Sequence, residues 1–258
     1  MIDTHCHLTS KQLHQDVESV IQRAKESGVS QMITVAINGG DAIHALECAS
    51  HFEEVFFSAG IHPLYADGEW DWETLRAVIR EDKCVAFGEL GLDKHYEEAD
   101  FDRQLSLLEE QLKFVAAQKD DFRPIIVHCR KAVGDLLPIF ENSGIDGNRF
   151  VFHCFTESMD DAKKVLDFGA MLSFTGVVTY RNASEVLGIA KFTPIDRMMV
   201  ETDAPYLTPE PNRRIWPNEP RFLKDTVSCI AKSKGLMDCS FEQLMDENAR
   251  RFFNLPKP

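Results

Sequence analysis

The chain has 258 residues, a length that suits two ordinary domains or one α/β barrel. Its formal net charge of -14 disfavours broad non-specific binding of nucleic acid, although a local phosphate site that uses metal ions is still compatible with it. No apolar run is long enough to span a bilayer, no signal-peptide pattern opens the chain, and the seven cysteines include no CxxC pair, so we expect a cytoplasmic protein with reduced thiols.

Eight short apolar runs, rich in Val, Ile, Phe and Met, recur about every thirty residues and are predicted to be strands. They are "MIDTHCH", "MITVAI", "VFFSAGIHP", "VAFGELGLD", "PIIVHC", "RFVFHCF", "AMLSFTG" and "MMVETDAPY". Amphipathic segments such as "DWETLRAVIRED" separate them and are predicted to be helices. This alternation is typical of α/β proteins with a parallel sheet. We therefore predict a closed (β/α)8 TIM-type barrel, with residues 1–258 in a single domain.

Histidines and carboxylates stand where the apolar runs end. His5 and His7 share one face of the first strand with Asp3, because successive side chains of a strand alternate. The other runs end in His62, Glu89, His128, His153 and Asp203. The carboxyl ends of all strands gather at one rim of a barrel, so these side chains are expected to converge there. Such a nitrogen and oxygen donor set is typical of divalent metals, and we expect two ions.

Three cysteines directly adjoin the candidate ligands: Cys6, Cys129 and Cys154. Strand alternation directs their thiols away from the side that the histidines face. We interpret them as buried side chains beneath the helices, an interpretation that is weakest where a strand already turns into its loop. The predicted site then contains nitrogen and oxygen ligands only.

The motifs "IDTHCHL", "GIHP", "GELGLD", "IIVHCRKA", "FHCF" and "VETDAPYLTP" follow one another along essentially the whole chain. In this order they resemble the TatD family of metal-dependent deoxyribonucleases, a branch of the amidohydrolase superfamily. The resemblance implies a metallo-dependent hydrolase with two divalent ions, Mg²⁺ or Mn²⁺ for activity, with Zn²⁺ also suitable. It also implies hydrolysis of DNA, expected to be single-stranded, from the 3′ end. Apart from the resemblance, we expect a monomer, and the lack of a long apolar run predicts no membrane contact. The implied ligands are His5, His7, Glu89 and Asp203 for one metal, and Glu89, His128 and His153 for the other.

Further catalytic roles are expected around these ligands. Glu89 would bridge the ions, and Asp203 would be a catalytic ligand. Glu201 lies two residues before Asp203 and is expected to orient a ligand or to bind the attacking water. Asp93, in "GLD", is expected either to pack or to orient a ligand.

Substrate contacts are expected from residues at the edge of the site. The resemblance places His62 there, against a phosphate or water, with a structural turn histidine as the alternative. Arg130 and Arg181 are candidate phosphate contacts. In the predicted loop "TPEPNRRIWPNEP" the chain departs from the family, since Asn212 stands at an expected histidine and Trp216 is inserted. Trp216 is either a stacking surface for an unpaired base or packed on the rim. The stretch "KDDFR" is predicted to be a surface loop.

Two alternative functions remain open. The same barrel serves amidohydrolases, so the chain could be a phosphoesterase or amidase of small molecules, which the acidic charge favours. Glu89 instead favours the nuclease branch, because many two-metal amidohydrolases carry a modified lysine at that place. The second alternative is a scaffold protein with a structural metal. Structural zinc sites use closed shells of Cys and His, whereas this carboxylate-rich set is typical of catalysis.

Overall fold

The computed structural model describes residues 1–97, 99–118 and 123–257. Within them, eight parallel strands form one sheet in which each strand pairs with the next along the chain. The strands are β1 (Ile2–Cys6), β2 (Gln31–Val35), β3 (Val55–Ala59), β4 (Cys84–Asp93), β5 (Ile125–Arg130), β6 (Phe150–Phe152), β7 (Met171–Phe174) and β8 (Met198–Val200). Each predicted run contains one of these strands to within one residue at either end, so the (β/α)8 prediction is confirmed. Most of "KDDFR" lies outside the described residues.

Helices cover the outside of this sheet. They are α1 (Val17–Glu26), α2 (Gly39–His51), α3 (Trp72–Val78), α4 (Phe101–Ala116), α5 (Val133–Ser143), α6 (Met159–Phe168), α7 (Ser184–Phe192), α8 (Leu223–Lys234) and α9 (Asp238–Phe253). Short polar side chains begin several of them: Asn38 accepts a hydrogen bond from the Asp41 N–H, and Ser158 accepts one from the Asp161 N–H. In the part of the chain described, no helix has the length and apolarity of a bilayer span.

The interior of the barrel divides into an apolar end and a polar end. Buried side chains such as Ile33, Ile126 and Met199 pack together inside the barrel, and Phe253 of α9 belongs to the same cluster. Helix α9 is also joined to the start of β1, where Asp246 accepts a hydrogen bond from the Ile2 N–H at 2.8 Å. The amino end of the barrel is thereby filled with apolar side chains. The carboxyl end is left for polar groups.

The sheet is brought nearly to closure by contacts between β1 and the segment that follows β8. The Asp203 N–H donates to the His5 carbonyl at 2.9 Å. The Thr202 N–H donates to Asp3 Oδ1 at 2.9 Å, and the Thr202 hydroxyl contacts Asp3 Oδ2 at 2.5 Å. Asp3 is fully buried. The Asp3 side chain therefore joins the two ends of the sheet, two residues before His5 of β1.

Candidate metal centre

Glu89, in β4, lies at the centre of the converging polar groups. It is buried, and its Oε1 atom lies 2.7 Å from His153 Nε2 and 2.8 Å from His128 Nδ1. Its other oxygen, Oε2, lies 3.5 Å from His5 Nε2. One carboxylate thus contacts histidines that come from three different strands or strand ends.

Glycines on both sides of Glu89 explain why the motif reads "GELG". Gly88 has a φ of 110°, and a Cβ atom there would lie only 2.5 Å from the Ile126 carbonyl oxygen. At Gly91 a Cβ would overlap the carbonyl of His128. The absence of side chains at both positions lets β4 approach β5 closely enough for Glu89 to reach His128.

A second group of donors forms beside Glu89. His5 Nε2 and His7 Nε2 lie 3.3 Å apart, and Asp203 Oδ1 lies 3.7 Å from the first and 3.4 Å from the second. His7 Nδ1 lies 2.9 Å from the Val35 carbonyl, to which it donates, so Nε2 is the nitrogen directed toward the site. Asp203 adopts a left-handed conformation, with φ 54°, which turns the chain immediately after β8.

Two further carboxylates lie near the ring nitrogens of His128 and His153 that do not face Glu89. Asp93 Oδ2 lies 2.8 Å from His128 Nε2, so that ring directs Nδ1 toward Glu89. Glu201 Oε1 lies 3.4 Å from His153 Nδ1 and accepts a hydrogen bond from the Cys154 N–H at 2.7 Å. Both carboxylates occupy the position of ligand-orienting groups in metal sites, which fix the ring and its tautomer.

Glu89 and Asp93 remain ionised in spite of their burial. Burial acts to raise the pKa of Glu89, but the charge of His153 and hydrogen bonds with His128 and His153 hold it well below its usual value. Burial likewise opposes ionisation of Asp93, and hydrogen bonds from His128 and backbone N–H groups lower its pKa to about 2. Burial lowers the pKa of His5 well below its usual range, so this ring is neutral. Burial also opposes the charge of His7, His128 and His153, but the neighbouring carboxylates raise the pKa of all three rings, so a metal ion would have to displace their protons.

Three overlapping groups of donor atoms fit a cation. In each group the atoms lie within 4.8 Å of one another, and the groups are His5–Glu89–His153, His5–His7–Asp203 and His62–Glu89–His128. All of the donors are nitrogen or oxygen, which suits zinc, manganese, cobalt or magnesium. No cysteine belongs to these groups within the described residues.

His62 lies deeper than the predicted edge position. Its Nε2 atom lies 3.1 Å from His128 Nδ1 and 3.6 Å from Glu89 Oε1. Its Nδ1 accepts a hydrogen bond from the Leu64 N–H, which leaves the proton of the neutral ring on Nε2. Burial lowers the pKa of His62 to about 3, so the ring is neutral. His62 therefore directs an N–H donor into the site.

The predicted phosphate-binding arginines lie outside this cluster. Arg130 is exposed at the end of β5, with its guanidinium 5.6 Å from the centre of the Tyr96 ring. Arg181 is exposed in the loop after β7, and no hydrogen bond or ion pair joins it to the cluster among the described residues. A third arginine, Arg213 in the loop after β8, lies over the Tyr180 ring at 3.4 Å. The structure thus places these arginines around the mouth of the barrel and not among the converging donors.

The three cysteines divide into two kinds. Cys6 and Cys129 are buried, as predicted. Cys154 differs, because it is half-buried, follows β6 in a left-handed conformation with φ 45°, and has its thiol 3.5 Å from the Thr175 hydroxyl. The strand pattern has ended before Cys154, so alternation does not determine the direction of its thiol.

Sequence reasoning did not identify Asn218, which organises the loop after β8. Asn218 is fully buried, and its Nδ2 atom donates to the Thr202 carbonyl at 3.0 Å and to the Tyr206 carbonyl at 2.5 Å. Asn212, at the place of the expected histidine, donates to Asp225 Oδ2 on α8 at 2.8 Å. An asparagine in a proline-rich loop carries no sequence signal for such a role.

Comparison with known proteins agrees with this architecture. The family described as TatD related DNase matches residues 2–254. The chain is 35% identical to the "Uncharacterized metal-dependent hydrolase YcfH" of Escherichia coli K12, over 99% of this chain and 96% of that one. It is 34% identical to the "3'-5' ssDNA/RNA exonuclease TatD" of Erwinia tasmaniensis, over 99% and 100% of the two chains. The crystal structure of the TatD homologue YjjV of E. coli superposes with a TM-score of 0.91 at 28% identity, covering 99% of this chain and 98% of that one. The chain therefore belongs to the TatD-related DNase family of metal-dependent hydrolases.

Proposed function

We propose that this chain is a nuclease that hydrolyses phosphodiester bonds of single-stranded DNA from the 3′ end. One observation carries the proposal: the Glu89 carboxylate contacts His128 and His153 through one oxygen and faces His5 through the other, as a ligand shared by two cations requires. Relatives from Erwinia tasmaniensis and Pantoea vagans carry the name "3'-5' ssDNA/RNA exonuclease TatD", which supports the substrate class. We further propose that the chain acts as one domain and as a monomer.

The proposed cofactors are two divalent cations, Mg²⁺ or Mn²⁺. Their ligands would be His5, His7, Glu89 and Asp203 for one ion, and Glu89, His128 and His153 for the other. When bound, the pair supplies positive charge that activates water and stabilises negative charge on the phosphoryl oxygens.

The chain's own residues position the substrate and the ligands. His62 directs its Nε2–H into the site, where it would donate to a non-bridging phosphate oxygen. Glu201 and Asp93 would fix the orientation of His153 and His128. Arg130 and Arg181 would meet phosphates farther along the strand. Asp203, held by the turn after β8, would keep its carboxylate beside His5 and His7.

The test is degradation of a 5′-labelled single-stranded oligonucleotide with Mg²⁺ or Mn²⁺. We expect shortening from the 3′ end, arrest on addition of a chelator, and loss of turnover in Asp203→Asn with an unchanged circular dichroism spectrum. Oligonucleotide that stays intact with every metal tested would overturn the proposal, and full activity of Asp203→Asn would overturn the ligand assignment.

A small-molecule phosphoesterase or amidase is the second candidate function. The observation that favours it is the net charge of -14, because such a protein repels polyanions over long distances. A panel of small esters and amides, run beside the oligonucleotide with the Asp203→Asn control, discriminates between the two. Turnover of the panel without cleavage of DNA would favour this second function.

A further inference from the structure

Aromatic side chains surround the mouth of the candidate metal centre, and of these Tyr65, Tyr96, Tyr206 and Trp216 are exposed while Tyr180 is half-buried. All four tyrosines of the chain lie in loops that follow strands, at the same end of the barrel as Glu89: Tyr65 after β3, Tyr96 after β4, Tyr180 after β7 and Tyr206 after β8. Trp216 lies in the same loop as Tyr206. Large apolar groups exposed beside a polar site are typical of ligand contact and not of a random surface.

The ring of Tyr206 is next to the donor cluster, and the ring of Trp216 is next to that of Tyr206. The ring of Tyr206 lies 6.3 Å from that of His7, and the ring of Trp216 lies 6.1 Å from that of Tyr206. Trp216 is 60% exposed and Tyr206 is 47% exposed. Trp216 is thus not packed into the rim, the second of the two interpretations considered from the sequence. Its ring is available to a ligand.

The loop that carries both rings is held in place by its own hydrogen bonds. Asn218 is bonded to the carbonyls of Thr202 and Tyr206. The Thr208 hydroxyl donates to the Ile215 carbonyl at 2.9 Å, directly beside Trp216. An aromatic surface that is already ordered loses little conformational entropy when a ligand binds.

The charge beside Trp216 suits a ligand that carries phosphates as well as rings. Arg213 and Arg214 are exposed in the same loop. Of the two glutamates between Tyr206 and the start of α8, Glu219 is paired with Arg23 at 2.8 Å, and Glu210 is only half-exposed. Positive charge next to exposed aromatic rings is the combination by which proteins bind single-stranded nucleic acid, with bases on the rings and phosphates on the cations.

We propose that Tyr206 and Trp216 form a stacking platform for the unpaired bases of the nucleotides beside the scissile phosphate. The inference rests on the proposed nuclease function and assigns to this loop the preference for a single strand. In a duplex the faces of the bases are covered by their neighbours, so a base must leave the stack before it can lie on Trp216. The platform thereby selects strand ends whose bases are free.

The test measures binding apart from cleavage. A fluorescently labelled, hydrolysis-resistant phosphorothioate oligothymidylate is titrated with the Mn²⁺-loaded protein, beside the same oligomer with stable abasic residues at its 3′ end. We expect Trp216→Ala to raise Kd for oligothymidylate about 10- to 100-fold and to leave Kd for the abasic-ended oligomer within about twofold. Trp216→Phe should restore affinity. Phe192→Ala, which removes an aromatic ring that is 50% exposed on α7, is the matched control and should change neither value.

A spectroscopic measurement gives an independent readout. Oligothymidylate should quench the tryptophan fluorescence of the unaltered protein, and Trp216→Phe should lose that quenching while it still binds. Equal loss of affinity for both oligomers, no loss in Trp216→Ala, or no binding by the unaltered protein would each overturn the platform. Binding that depends on Trp216 without cleavage of DNA would uphold the platform and overturn the nuclease proposal. Cleavage of DNA by a protein whose affinity does not depend on Trp216 would uphold the nuclease proposal and overturn the platform.

Discussion

Glu89 is the single side chain on which both proposed cation positions depend. Because its two oxygens face different histidines, Glu89→Ala is expected to abolish metal occupancy at both positions together and not merely to weaken one. Elemental analysis of the purified variant after exhaustive dialysis measures this. The matched control is Glu157→Ala, which removes a half-buried carboxylate in the loop after β6 that accepts from the Lys131 N–H at 2.7 Å and is not a candidate ligand. A Glu89→Ala protein that retains one tightly bound ion would contradict a shared ligand.

The candidate donors were predictable from the sequence because each follows an apolar run, and strand order alone brings strand ends together. Contacts that depend on loop conformation were not predictable. The depth of His62 follows from the turn that places the Leu64 N–H on its ring, and the position of Asp203 follows from a left-handed residue after β8. The direction of the Cys154 thiol escaped prediction for the same reason.

At the scale of elements, the eight strands and their order could be predicted, but the join between β1 and β8 could not. No periodicity in the sequence indicates that Asp3 accepts hydrogen bonds from both the backbone N–H and the side-chain hydroxyl of Thr202. The packing of α9 against the amino end of the barrel could not be predicted either. It depends on a hydrogen bond from the Ile2 N–H to Asp246, which lies near the other end of the sequence.

The buried Asp3 makes the stability of this join depend on pH. Burial raises the pKa of Asp3 from its usual 3.8 to about 7, against the hydrogen bonds from Thr202 and with the help of Glu201. The folded state therefore holds a proton that the unfolded chain releases between about pH 4 and 7. The free energy of unfolding contributed by this group falls as pH rises through that window.

Asp3→Asn removes this titration and keeps groups that can bond to Thr202. We expect the variant to gain stability relative to the unaltered protein as pH rises from 5 to 8, in urea unfolding with a chelator present. Asp3→Ala also removes the titration but leaves the Thr202 N–H without its partner, so it should be less stable than Asp3→Asn by about 1–3 kcal/mol across the range. A difference between Asp3→Asn and the unaltered protein that stays constant with pH would contradict the assignment.

At the scale of the whole molecule, the distribution of charge indicates a need for cations. Among the described residues the buried carboxylates are Asp3, Glu89, Asp93, Glu201, Asp203 and Glu219. All but Glu219 lie at or beneath the mouth of the barrel. None of the described lysines or arginines is buried, so only histidines oppose this charge inside the site. Divalent ions bound there would neutralise part of the acidic excess where it is least solvated.

Binding of Mn²⁺ should therefore stabilise the entire fold, since the unfolded chain has no assembled site. An ion at a hundred times its Kd adds about 2.7 kcal/mol to the free energy of unfolding, which for a chain of this length corresponds to a rise of about 5–10 °C in Tm. Differential scanning calorimetry of chelator-treated protein, with and without Mn²⁺, measures the shift. Glu157→Ala should keep the rise and Glu89→Ala should lose most of it. An equal rise in both variants would mean that Mn²⁺ acts on the acidic surface, and the proposed centre would then not be the site of binding.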